Sequence, residues 1–198
     1  MTTQTRTTGL EAVNTILSTI GEAPLNTLTG SLPVDGTIAK NVLSEVAREV
    51  QSQGWHFNTH NKVTLSRNTD NKIPLPNNAV RVEIDPIKYT KYSYDIVQRD
   101  NLLYNLAKNE ETFDTDFDDV TIVYLLKFDE IPEQAKRYIT IRSARIFHDR
   151  TLGANTIHKF SQEDEAKSLS ILKQAESHTG DYSIFDTPEQ AYTIIRGN

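Results

Sequence analysis

The sequence has no cysteine among its 198 residues. That one absence excludes disulfides, thiolate metal sites and cysteine nucleophiles together. Positive charge is scarce too: 21 Lys and Arg stand against 27 Asp and Glu, a net charge of −6. Nucleic acid held tightly as a resident ligand is therefore disfavoured, because phosphate affinity comes mainly from clustered cations. Long apolar runs are missing. The best, VTIVYLL at 120–126, is far short of the ~20 residues a bilayer span requires, so no membrane-spanning segment is expected. The first eight residues, MTTQTRTT, hold no apolar core of the kind a secretory leader carries. G-x-S-x-G, Walker and dinucleotide fingerprints do not occur. The sequence describes a polar chain, with a mean hydropathy of −0.51, that is made inside the cell.

Periodicity divides the chain into helical, β and helical stretches. Leu10, Val13, Leu17 and Ile20 form one stripe that predicts a helix ending at Gly21 and Pro24. A second helix fits 36–53, with Asp35 as N-cap and Ala39, Val42, Leu43, Val46 and Val50 as its apolar face. Gly54 stops it, and Trp55 and Phe57 alternate with His56 and Asn58 as a strand entering the core would. Short β-type runs follow at 63–65, 73–75, 79–84, 92–96, 101–104 and 120–126, spaced like an antiparallel meander. Helical spacing resumes after Pro132 up to Gly153, and again over about 162–177. Ser161 and Asp164 form a capping box there, ahead of a stripe of Ala166, Leu169, Leu172 and Ala175. The threonine-rich arm 2–8 is expected to be mobile.

Stripes this narrow cannot make separate cores. The expected class is α+β: a four-helix bundle with an inserted antiparallel β domain. Residues 1–54 and 129–198 form the discontinuous helical domain, ending in an extended C-terminal tail, and 55–128 form the insert. Trp55 and Phe57 are the expected anchors at the domain junction.

Few constellations suggest chemistry. His56 and His60 have a metal-like spacing only on a helix, and Phe57 stands where a zincin needs Glu. Asp114-x-Asp116-x-Asp118 imitates an EF-hand loop, but Asp119 occupies the glycine position and Leu125 the bidentate glutamate position. The stretch 109–119, with six acids and no base, reads as a solvated acidic loop. Tyr89, Tyr92 and Tyr94 read as packing before they read as a sugar platform. No metal or cofactor is expected.

Two features point to partners. The third helix carries Lys136, Arg137, Arg142, Arg145 and Arg150 against Glu133 and Asp149, either a solvated face or an electrostatic contact. Arg137, Arg142 and Arg145 are the interface candidates. The tail carries Tyr182, Ile184, Phe185, Tyr192, Ile194 and Ile195 outside any period, and something should cover them: the same subunit, or a neighbour to whose sheet the tail adds a strand.

An ordered set of short matches resembles the tail tubular protein A family, the adaptor or gatekeeper proteins of short-tailed podophages. The matches are AVNTILSTIGEAP at 12–24 followed by Leu28, VQSQGWHFN at 50–58 and DEIPE at 129–133. Ala144, Arg145 and Phe147, then Gly153 and Ala154, EDEA at 163–166 and GDYSIFD at 180–186 continue the set in order. The resemblance implies a structural protein of the virion tail, made in the bacterial host cytoplasm. It implies a dodecameric homo-oligomeric ring that joins the portal protein to the nozzle (tail tubular protein B). Genomic DNA would pass through the ring without sequence-specific binding. Two other readings remain from the residues: a virion-associated glycan hydrolase using paired carboxylates, and a DNA-binding tail component led by the basic third helix.

Overall fold

A computed structural model describes residues 5–90, 92–153 and 160–180. It is a mixed α+β protein, with four helices and five antiparallel strands among those residues. Helices α1 (Gly9–Leu17) and α2 (Val34–Gln51) precede strands β1 (Thr59–Leu65), β2 (Ala79–Glu83), β3 (Ile96–Arg99), β4 (Leu102–Asn105) and β5 (Phe117–Tyr124). Helices α3 (Glu133–Leu152) and α4 (Gln162–Gly180) follow.

Helix α3 is the centre of the helical part: α1, α2 and α4 all pack on it, and α1 also touches α2. Their apolar faces close one core around Val13, Ile16, Leu17, Val42, Val46, Ile139, Phe147 and Leu172. Helix α1 is shorter than its apolar stripe. A Thr8–Glu11 capping box starts it, and it ends at Leu17, so that Ile20 packs on the core from a turn leading to Gly21 at φ +80°. Asp35 is not an N-cap. Helix α2 begins two residues earlier than expected, at Val34 behind Pro33, whose fixed φ suits a helix start, and Asp35 lies in the first turn. Ser161 and Asp164 do form the expected box on α4. Of the expected α4 stripe Leu172 is buried and Leu169 and Ala175 are half-buried, but Ala166 faces solvent and Ser168 takes the buried position.

The β part has its own core of Leu65, Ile73, Leu103, Phe117, Val120 and Ile122. It is not a meander. The last strand, β5, lies between β1 and β2, while β3 and β4 form a separate hairpin. Residues 92–96 are not a strand until Ile96, because Ser93 and Tyr94 both donate their N–H to the Thr90 carbonyl and close a turn. Within 73–75 there is only the bridge of Pro74 to Leu102. The β1–β5 ladder holds two compensating bulges. Register slips by one residue near Lys62 (φ +59°) and slips back near Asp119 (φ +56°), which keeps Val63, Leu65, Phe117 and Val120 on the core side.

Candidate assembly interface

The two cores meet where the chain crosses between them, at 51–58 and 124–133. Trp55 and Phe57 do not alternate as a strand. His56–Asn58 is a 3-10 turn, because the Asn58 Oδ1 accepts the Trp55 N–H at 2.8 Å and Asn58 N–H returns to the Trp55 carbonyl. Trp55 is half-buried against the helical core, its Nε1–H donating to the Val50 carbonyl at 2.7 Å, and Phe57 packs on the same core. The crossing is locked by two polar side chains that hydrophobic periodicity does not reveal. Asn58, fully buried, donates its Nδ2 to the carbonyls of Gln51 (2.9 Å) and Tyr124 (2.7 Å). Gln51 donates to the Leu126 carbonyl at 3.2 Å and accepts the Leu126 N–H at 2.8 Å. Gly54, between them, has φ +76°, and a Cβ there would collide with the Arg81 guanidinium.

The basic helix uses its charge inside the chain. Arg142 reaches Glu165 on α4 at 2.9 Å and Glu49 on α2 at 2.7 Å. Arg145 reaches the same Glu165 at 2.6 Å and Asp149 at 3.6 Å. The Glu165 side chain is 13% exposed, and the arginines are 27% and 24% exposed. Arg150 makes a two-pronged pair with Glu45, whose hydrogen bond from Arg150 lowers the carboxyl pKa. Arg137 is exposed, its guanidinium 5.5 Å from the Phe160 ring centroid. Lys136 is not on a solvated face at all, being fully buried. Apolar spacing cannot reveal this, since the cation occupies a core position through main-chain carbonyls, one 129 residues upstream at Thr7 and one in the turn before its helix at Asp129. The apolar tail residues Tyr182, Ile184, Phe185, Tyr192, Ile194 and Ile195 lie outside the described residues.

The acidic stretch 109–119 does face solvent, with Asp114, Asp116, Asp118 and Asp119 all exposed, but it is not a free loop, since Asp118 and Asp119 already lie in β5. Its acids are paired with bases and tyrosines brought from elsewhere in the β part. Arg67 binds Asp116, Lys72 binds Glu111, and Lys108 lies near Glu110 and Asp114. Lys88 binds Asp118 and Asp119. Tyr94 donates its hydroxyl to Asp114, and Tyr89 donates its own to Asp118 while accepting the Asp118 N–H. Hydrogen bonds from Lys88 and Tyr89 hold the Asp118 carboxyl down at about 2. Asp116, through Arg67, and Asp114, through Tyr94, are lowered in the same direction. Tyr89, Tyr94 and Phe113 also pack edge-on around Phe117, so two of the three candidate tyrosines are core. Tyr92 is 98% exposed, and Ile87 in the same β2–β3 connection is 80% exposed. His56 and His60 belong to no group of metal-binding side chains among the described residues.

A family model described as tail tubular protein matches residues 10–182. No protein among the curated ones matches.

Proposed function

Because the chain belongs to the tail tubular protein family, and so is a structural protein of the phage tail, we propose that it is the adaptor that joins the portal to the nozzle. Copies stand side by side in a closed ring, twelve by the family resemblance, around a channel through which the genome is held and ejected. The helical part, 1–54 and 129–198, carries the ring, and the inserted β part, 55–128, projects from it. The observation that carries this reading is the family match over most of the chain.

The internal chemistry supports a part built to hold its shape. Carboxylates that are lowered in pKa and already bonded to Lys, Arg or Tyr act as fasteners. A glycosidase acid needs the opposite, a carboxyl raised towards neutrality by an apolar pocket. The pairing of Arg142, Arg145 and Arg150 with acids of the same chain likewise removes much of the cationic face that a DNA-binding reading requires. A net-negative wall lets a duplex slide, since phosphates gain no counter-charge from it. Ile87, Tyr92 and Val34 leave apolar surface for contacts between copies or with neighbours in the tail.

Sedimentation and negative-stain imaging of the purified chain, alone and mixed with portal rings, test the proposal. The expected result is a closed ring seated on the portal, with a mass twelve times that of the chain. A chain that stays monomeric and never co-sediments with portal overturns the adaptor role.

A further inference from the structure

We propose that Thr7 and Thr8 form a strap that solvates a buried cation and thereby ties the β part's return crossing to the helices. Lys136 has no exposed surface, and its ammonium bonds to main-chain carbonyls rather than to a carboxylate among the described residues. Its ammonium has three protons to place. One goes to the Thr7 carbonyl at 2.9 Å and one to the Asp129 carbonyl at 3.0 Å, with the Phe128 ring centroid 5.9 Å away. A buried ammonium is tolerated only while such partners are in place.

The Thr7 carbonyl is held in place because the chain is bound on both sides of it, at Thr7 itself and at Thr8 and Gly9. Thr7 N–H donates to Glu133 Oε2 at 3.1 Å, and the Thr7 hydroxyl donates to the other Glu133 oxygen. Thr8 caps α1, and Gly9 N–H donates to the Asp129 carboxylate at 2.9 Å. The arm expected to be mobile is thus anchored from Thr7 onward. Its receptors are the first turn of α3 and the 3-10 turn Phe128–Glu130, where the chain leaves β5 for the helices. Closing the strap satisfies Lys136 and fixes that crossing. Opening it leaves a buried charge short of a partner and frees the crossing to move.

The test compares four forms of the protein: the full chain and a chain beginning at Thr8, each with and without Lys136→Met. The strap predicts that shortening the Lys136 chain lowers Tm by about 4–8 °C. Lys136→Met in the full chain should change Tm by less than about 3 °C, because a linear apolar side chain fits the same space. Adding Lys136→Met to the shortened chain should restore at least half the loss, or restore folding if shortening alone abolishes it. Hydrogen exchange supplies the second readout. Amides of Phe128–Glu130 should exchange about tenfold faster in the shortened chain, and much less so once Lys136→Met is added. Equal losses from shortening with either residue, or failure of both shortened chains to fold, overturn the proposal.

Discussion

The side-chain amide of Gln51 pairs with the main chain of Leu126 in both directions, as a neighbouring strand would. One residue at the end of α2 thus binds the segment that leaves β5, and the outgoing and returning crossings hold each other. Asn58 completes the lock by bonding the Gln51 and Tyr124 carbonyls. Asn14 repeats the device near α1, pairing with both main-chain groups of Leu25.

Gln51→Ala or Asn58→Ala should therefore cost about 2–4 kcal/mol, since each strands buried main-chain groups that no apolar side chain can satisfy. Gln51→Leu should be no better despite its volume. Urea unfolding measures this, and a loss below about 1 kcal/mol would mean that the junction opens to water without cost.

Trp55 tests the same junction by size. Because it is half-buried, Trp55→Ala should cost about 2–3 kcal/mol, less than a fully enclosed tryptophan would. Trp55→Phe, which keeps most of the ring but loses the bond to the Val50 carbonyl, should cost about 1 kcal/mol. Denaturant midpoints of the two variants decide between packing and hydrogen bonding.

Glu165 is the acid that docks α4. Glu165→Ala leaves Arg142 and Arg145 side by side and should cost about 1–3 kcal/mol, partial exposure keeping it below a fully buried pair. Reversing both arginines to Glu should loosen α4 even in an isolated subunit. Hydrogen exchange across 162–176 reads this out directly, and unchanged protection in the reversed variant would contradict it.

The Asp118 carboxyl titrates at about 2 when folded against 3.8 when free. A depressed carboxylate contributes stability that is complete above the free value and lost as pH falls through the folded one, here between about pH 4 and pH 2. Asp118→Asn should be less stable than the parent at pH 6, with the gap closing as pH approaches 2. Thermal melts across that range measure it. Lys88, raised by its bond to Asp118, acts at the other end, and its contribution fades as pH climbs past the ordinary lysine value of 10.5. A gap between parent and variant that stays constant down to pH 2 would assign the loss to something other than this carboxylate.

What was legible in the sequence was whatever depends on near neighbours along the chain. The α+β class followed from a period that changes twice. Ala39, Val42, Leu43, Val46 and Val50 mark α2's buried face because residues three and four apart share a side of any helix. The Ser161–Asp164 box was readable for the same reason, and the family resemblance rested on ordered local matches that the family model bears out.

Tertiary structure alone decided everything that depends on pairing across long separations. Strand order was one such case: alternation says which face of β5 is buried, but not that β5 lies between β1 and β2. The acids of 109–119 are largely solvent-exposed, as the sequence suggests, but their pairing is not legible there, because the bases at Arg67, Lys72 and Lys88 sit 30 to 49 positions away in the chain and reach them only once the β part folds. Lys136 looked exposed because charge predicts solvent unless distant partners remove that need, and its partners are carbonyls of an arm more than a hundred residues upstream and of a turn just before its own helix. Local spacing sets which side of an element is apolar; a buried charge or amide is placed by the main-chain groups that folding brings to it.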